Sequence, residues 1–296
     1  MVTKRTLTGT NHGQNRGPMP EGDTIHRTAS TLAKWLGGRT ITAARSTMPG
    51  VECRDLIGRR VESVTARGKN LVILFVDDRG RGKPLALRTH MMMTGSWHVY
   101  EQGARWQKPR YQARIVLEAG ERIAVSFNVP VATLDLETVV EASTALQDLG
   151  PDVLVEPLDI DDVLRRATQR RPKTVGSLLL DQRIVAGIGN VYRCEALFLA
   201  GLDPWTDPST LDPVTLSTLI ATSSALMRAN VDHPSSRDTG AGRGRPWVYG
   251  RRALPCRRCE TLIRSGLIGD PVRRIYWCPT CQPSTGPSAR PPANSA

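Results

Sequence analysis

The feature that most constrains how this chain can fold lies near its C-terminus: Cys256-x2-Cys259, eighteen intervening residues, then Cys278-x2-Cys281. Each C-x2-C turn presents two thiolates from one knuckle, and two knuckles at this separation can close a tetrahedron around a single Zn²⁺. A pair of redox dithiols is the alternative. The other two cysteines, Cys53 and Cys194, are single, a pattern that suits metal binding in a reducing compartment better than disulfides.

The charge around these knuckles is one-sided. Between Arg237 and Arg274 there are ten arginines and three acids, and the whole chain carries 40 Lys and Arg against 28 Asp and Glu, a formal net charge of +12. With a pI near 10.0, such a chain points to a polyanion, nucleic acid first, as its partner, with a merely solvated basic face as the plainer reading. Apolar residues make up 40% of the sequence, enough for a real core. No apolar run approaches the 18 residues of a membrane span and no secretory leader is present, so the expected setting is cytosolic, with no membrane partner.

In chain order, residues 1–18 offer almost nothing to bury and read as disordered. Ile25, Ala29, Leu32 and Leu36 then fall at helical spacing, with Asp23 or Thr24 able to cap the start and Gly37-Gly38 the end. Short β-rich runs follow at 60–64, 71–76, 85–89, 96–100, 113–119 and 122–127, predicting a sandwich or barrel. Lys69 falls at a tight turn between two of these runs, where a solvated lysine is the plain expectation. The run 85–89 leads into Met91-Met92-Met93; strand alternation forbids all three from facing one core, so at least one is exposed, as a wedge for a base stack or as ordinary packing. After Gly150-Pro151 the pattern turns helical, at 163–168, 177–182, 190–200 and 211–229. Gly187-Ile188-Gly189-Asn190 forms a glycine-rich turn ahead of a helix, a place where backbone N–H groups can grip a phosphate. Residues 232–246 read as a mobile loop and 283–296 as a disordered tail.

Met19-Pro20-Glu21-Gly22-Asp23 has a chemical interest of its own. A proline that opens a helix is the bland reading. If translation begins at Met19 and the methionine is trimmed, Pro20 carries a secondary amine, and with an α-amino pKa of about 7.7 to 8.0 roughly a tenth of it is free base at neutral pH, enough for imine chemistry.

Taken together, Pro20-Glu21-Gly22, Arg67-Gly68-Lys69, Gly150-Pro151-Asp152, the run from Leu178 to Gln182, Ala186 to Tyr192, Trp247 to Gly250 and the four cysteines resemble the formamidopyrimidine-DNA glycosylase and endonuclease VIII family from Met19 to about Gln282. The Pro-Glu-Gly-Asp start looks like its actinobacterial endonuclease VIII branch. The resemblance implies an α+β fold: a β-sandwich with an N-terminal helix, a helix-two-turn-helix domain and a C-terminal β-hairpin zinc finger. The expected divisions are an extension over 1–19, the sandwich over 20–145, the helical domain over 146–236, the basic loop and zinc finger over 237–282 and the tail from 283. The activity implied is that of a bifunctional glycosylase and AP lyase, acting as a monomer on damaged DNA at the nucleoid and holding one structural Zn²⁺ through Cys256, Cys259, Cys278 and Cys281. In these roles Pro20 is the nucleophile, Glu21 moves protons, Lys69 stabilises charge, Asn190 and Arg273 clamp phosphates, Arg273 also serving the reaction, and Met93 fills the void left by a flipped base. The alternatives are a non-catalytic damaged-DNA binder, a zinc-ribbon RNA-binding protein, and an 8-oxoguanine type of glycosylase. Against the last, Thr24 replaces a second glutamate and Gly176 stands where such enzymes carry a lysine, so the resemblance implies a preference for oxidised pyrimidines.

Overall fold

The structure, a computed structural model, describes residues 20–80, 82–231 and 237–284; the extension 1–19, residues 232–236 of the expected loop and most of the expected tail lie outside it. The chain opens with α1 (Gly22–Leu36), whose Ile25, Ala29, Leu32 and Leu36 are buried at the predicted helical spacing. It continues through β1 (Ala43–Ser46), β2 (Arg60–Arg67), β3 (Asn70–Val76), β4 (Leu85–His90), β5 (Ser96–Glu101), β6 (Ala113–Ala119), β7 (Arg122–Phe127) and β8 (Val131–Leu136). These strands form two four-stranded antiparallel sheets, ordered β1-β6-β7-β5 and β2-β3-β4-β8. Leu71, Ile73 and Phe75 of β3 meet Ile115 and Leu117 of β6 in one core that the apolar side of α1 also enters. This is the expected sandwich.

β3 is apolar on both faces because both are covered. Its alternate residue Val72 packs with Ala86, Val140 and Leu146, the last two supplied by α2 (Glu137–Glu141) and α3 (Thr144–Gln147). β1 and β8 have no counterpart in the sequence reading. Ala-Ala-Arg-Ser has little β propensity, and Val131–Leu136 follows Pro130 with a mostly half-exposed pattern; both are edge strands, specified by their neighbours.

The second half contains α4 (Ile160–Arg170), α5 (Val175–Leu178), α6 (Asn190–Leu199) and α7 (Pro213–Val231), close to the helices predicted, followed by the hairpin β9 (Arg264–Ile268) and β10 (Arg273–Trp277). The predicted helix over 177–182 instead breaks after Leu178 into turns, with Asp181 accepting from the Arg183 N–H and Gln182 spending its amide on backbone. The cysteine unit does not fold apart from the helices. Ile263, Ile268, Ile275 and Trp277 share one core with Leu179, Tyr192, Phe198 and Leu219. Among the described residues no helix is long and apolar enough to cross a membrane.

Asp152 joins the two halves. Its Oδ2 accepts from the Gly68 N–H at 2.7 Å and lies 3.2 Å from His26 Nε2, while Oδ1 accepts from its own Leu154 N–H at 2.9 Å. One carboxylate thereby holds the β2–β3 turn, α1 and the entry to the helical domain. Asp152→Ala leaves the Gly68 N–H unsatisfied at a buried junction, and we expect a loss of about 1–3 kcal/mol in denaturant unfolding, with Asp152→Asn recovering part of it.

Candidate active site

Four segments that are distant in sequence converge where the sandwich meets the amino end of α6. The first is Pro20-Glu21. Pro20 is half-buried, and Glu21 is only 1% exposed despite its charge. Its Oε1 accepts from the Val191 N–H at 2.8 Å and its Oε2 from the Tyr192 N–H at 3.4 Å. These donors belong to the first turn of α6, which has no partners of its own for them, and the helix dipole favours a negative charge there. The approach demands a bare backbone: a Cβ at Gly189 would lie 2.2 Å from Glu21 Cδ. Gly22 makes the next attachment, donating its N–H to the Gly187 carbonyl at 2.9 Å.

The second segment is the β2–β3 turn. Arg67 pairs with Asn70 across a two-residue turn, whose first position requires a positive φ that Gly68 supplies at 58°. Lys69 follows, half-buried, and no acceptor hydrogen-bonds its ammonium among the described residues. Burial pulls its pKa down to about 8; Glu21 opposes the shift, while Arg193, Arg237 and Arg273 reinforce it. A lysine so placed exchanges protons near neutral pH, as general acid–base work requires. His90, at the end of β4, is pushed down to about 4 by burial and then by Lys69 and Arg88, and is therefore neutral at physiological pH.

The third and fourth segments are the start of α6 and the β9–β10 hairpin. Asn190 Nδ2 donates to the Arg274 carbonyl at 2.9 Å, and Arg193 Nη2 donates to the same carbonyl at 3.1 Å. Arg193 is fully buried; its Nη2 also donates to Asn190 Oδ1, its Nη1 to the Gly176 carbonyl, and its Nε has no partner among the described residues. Arg273 is exposed; among the described residues no acid hydrogen-bonds it, and its Nη1 lies 3.5 Å from the Val272 carbonyl. The sequence-predicted Pro20, Glu21, Lys69, Asn190 and Arg273 thus all gather at one junction. Met93 lies on the β4–β5 turn, where Met91 is buried while Met92 and Met93 are 47% and 61% exposed.

At the base of the hairpin the four cysteine sulfurs lie within 4.8 Å of one another. Cys259 Sγ is 3.4 Å from the Sγ atoms of both Cys278 and Cys281. That is far beyond a disulfide bond of about 2.05 Å and close to the roughly 3.8 Å edge of a tetrahedron with 2.3 Å metal–sulfur bonds. The cluster can hold one metal ion.

Two parts of this region escape a reading by motif. Glu195 is fully buried and accepts from Thr239 Oγ1 and from the N–H groups of Trp247, Val248 and Tyr249 at 2.6 to 3.0 Å. Two charged residues, Arg193 and Glu195, inside an otherwise apolar helix were the signal that could have found it. Glu195 and Asn230, which accepts from the Asp238 N–H at 2.7 Å, also correct the expectation of a mobile loop: the described part, residues 237–246, is fastened at both ends.

The architecture is that of a known class. Lactococcus lactis formamidopyrimidine-DNA glycosylase, solved on DNA containing an abasic site, superposes with a TM-score of 0.74 at 23% identity, covering 90% of this chain and 100% of that one. The family profile for the formamidopyrimidine-DNA glycosylase N-terminal domain matches residues 19–130, and that for its H2TH domain matches residues 149–239. A probable endonuclease 8 2 of Streptomyces coelicolor is 40% identical over 276 residues, 92% of this chain and 96% of that protein. The DNA-(apurinic or apyrimidinic site) lyase Nei2 of Mycolicibacterium smegmatis is 36% identical over 269 residues, 89% and 99% of the two chains. The chain belongs to the formamidopyrimidine-DNA glycosylase family, among relatives named endonuclease 8.

The depressed Lys69 has a consequence for stability. Its pKa is about 8 in the folded chain against an ordinary 10.5, so between those values the unfolded chain holds a proton that the native state has released, and stability rises with pH. Below pH 8 the fold bears the full cost of the half-buried cation. Lys69→Met should therefore be more stable than the parent at pH 7, by about 1–3 kcal/mol after allowing for partial exposure, with the gain vanishing towards pH 11. Denaturant titrations across that range measure it.

Proposed function

We infer that this chain is a DNA glycosylase and DNA-(apurinic or apyrimidinic site) lyase that repairs damaged DNA. The observation that supports the reading most is the meeting of Pro20, Glu21 and Lys69 at one junction: a binding module needs neither an acid buried against a helix terminus nor a lysine tuned towards neutral pH. In the proposed reaction the Pro20 nitrogen attacks C1′ of the damaged nucleotide. The C1′–N bond breaks, the base leaves with a proton, and an iminium joins Pro20 to the opened sugar. Loss of a C2′ proton then expels the 3′ phosphate and a second elimination the 5′ phosphate. Glu21 moves protons during ring opening, and Lys69 stabilises charge at the sugar. Asn190 and Arg273 hold the flanking phosphates, Arg273 from the hairpin beside the reacting sugar, and Met93 enters the space vacated by the flipped base.

The metal proposed for Cys256, Cys259, Cys278 and Cys281 is a single structural Zn²⁺ that holds the hairpin carrying Arg273 and takes no part in the chemistry. We further propose a monomer working on cytoplasmic, nucleoid DNA, with the sandwich over 20–145, the helical domain over 146–236 and the basic loop and finger over 237–282.

The nucleophile exists only if Pro20 is the first residue, because a preceding peptide bond makes its nitrogen an amide. A chain starting at Pro20 should give a borohydride-trapped adduct with abasic-site DNA, and the intact 1–296 chain, verified by mass, should give none. Equal trapping by both would remove the proline mechanism.

Oxidised pyrimidines are the proposed substrates. A side chain at position 176 would be crowded, with its Cβ 3.0 Å from the Pro204 carbonyl oxygen and 3.1 Å from Ile268 Cδ1, and the nearby Lys173 is exposed on the preceding turn. In single-turnover excision by the Pro20-start chain, thymine glycol should be removed roughly tenfold or more faster than 8-oxoguanine opposite cytosine, the factor that one missing charge-assisted hydrogen bond supplies. A faster rate on 8-oxoguanine would reverse the assignment.

A further inference from the structure

The start of α1 carries two buried carboxylates, the N-cap Glu21 at 1% and Asp23 at 0% exposure, with only Gly22 between them. Two like charges in one turn, away from water, each need a separate compensating partner. Glu21 has the amide groups of α6. Asp23 has Arg237, which reaches it from the segment after α7: Nε donates to Oδ2 and Nη2 to Oδ1, both at 2.8 Å, in a two-pronged pair. Tyr192, the α6 residue whose backbone N–H faces Glu21, donates its hydroxyl to Asp23 Oδ2 at 3.0 Å, and the Arg237 guanidinium lies 5.3 Å from the centre of its ring. The Arg237 side chain is 10% exposed, and its carbonyl accepts from the Gly244 N–H at 2.8 Å, so the cation is held by its own backbone turn as well.

The segment bearing the reactive nitrogen is thereby fixed on both sides. Glu21 and the Gly22 N–H attach it to the start of α6, and Asp23 attaches it through Arg237 and Tyr192 to α6 and the segment that follows α7. Resting on the function proposed above, we propose that Arg237 is a positioning residue for the reaction: clasped by Asp23 over Tyr192, it sets where the Pro20 nitrogen stands relative to Glu21 and Lys69. Arg237 forms no bond to the substrate in this role. Without it, Asp23 becomes an uncompensated charge two residues from Glu21, and the first turn of α1 must shift to hydrate it.

Three variants of the Pro20-start chain test this, Arg237→Met, Arg237→Lys and the double variant Asp23→Asn/Arg237→Met. The double variant removes both charges of the pair, so that no Asp23 carboxylate is left buried without its cation while Glu21 keeps the α6 amides, and so separates positioning from folding. For each, thermal unfolding, the Kd for DNA bearing a tetrahydrofuran abasic analogue, and the single-turnover rate of borohydride trapping on a true abasic site are measured. The double variant is expected to unfold within a few degrees of the parent and bind within threefold, yet to trap at least tenfold more slowly. Arg237→Lys is expected to recover part of the rate lost in Arg237→Met. A double variant that traps at the parental rate, or one whose loss of rate is matched by an equal loss of affinity, overturns the inference; in the second case Arg237 is a DNA contact. A parent that traps nothing overturns the functional reading and this inference with it, whereas an active parent beside a fully active double variant overturns the inference alone.

Discussion

The contact on which the rest of the site depends is the carboxylate of Glu21 against the open end of α6. It joins a residue from the first turn of the sandwich domain to the helical domain, in a place where neither partner has an alternative. The acid is buried and needs donors; the helix end has donors and needs an acceptor. Every nearby feature serves this closure: the bare Gly189 that admits the side chain, the Gly22 N–H on the Gly187 carbonyl, and the Asp152 carboxylate that brings the Lys69 turn to the same seam. The seam is held because each domain supplies what the other lacks, a carboxylate from one and open amide groups from the other.

The composition of charge within the seam follows from the same geometry. Lys69 is half-buried with three arginines and one acid in electrostatic reach, and burial first and the arginines after it loosen its proton. Arg193 supplies a permanent cation that burial leaves without a carboxylate in contact, tied instead to carbonyls and to Asn190. The arrangement carries an excess of positive charge that the free protein does not neutralise, which is the condition expected of a surface made to receive phosphate.

Much of this was legible in the sequence, for identifiable reasons. Cys256 to Cys281 fixed their own cluster through spacing alone, and the period of Ile25, Ala29, Leu32 and Leu36 placed α1 and its buried side. Pro20 could be named for the chemistry of a terminal proline and Asn190 for its glycine-rich turn, whereas Glu21, Lys69 and Arg273 could be named only because they match positions of the family that the chain resembles. Asp152, Glu195 and Arg237 could not be assigned roles. Their partners are backbone groups and side chains up to 214 positions away, and nothing local in the chain distinguishes a carboxylate destined for such a partner from one left in water. The edge strands β1 and β8 escaped for a related reason, since their pairing is imposed by β6 and β4 and not by their own side chains.

The carbonyl of Arg274 gives the molecule a mechanical property. It is hooked by both Asn190 and Arg193, and one residue along the helix from Asn190 is the amide that grips Glu21. The hairpin presenting Arg273 is therefore linked to the acid through two hydrogen bonds and a single step along α6. A displacement of the hairpin is thereby passed through the Arg274 carbonyl to the start of α6, and from there to the amide that holds Glu21.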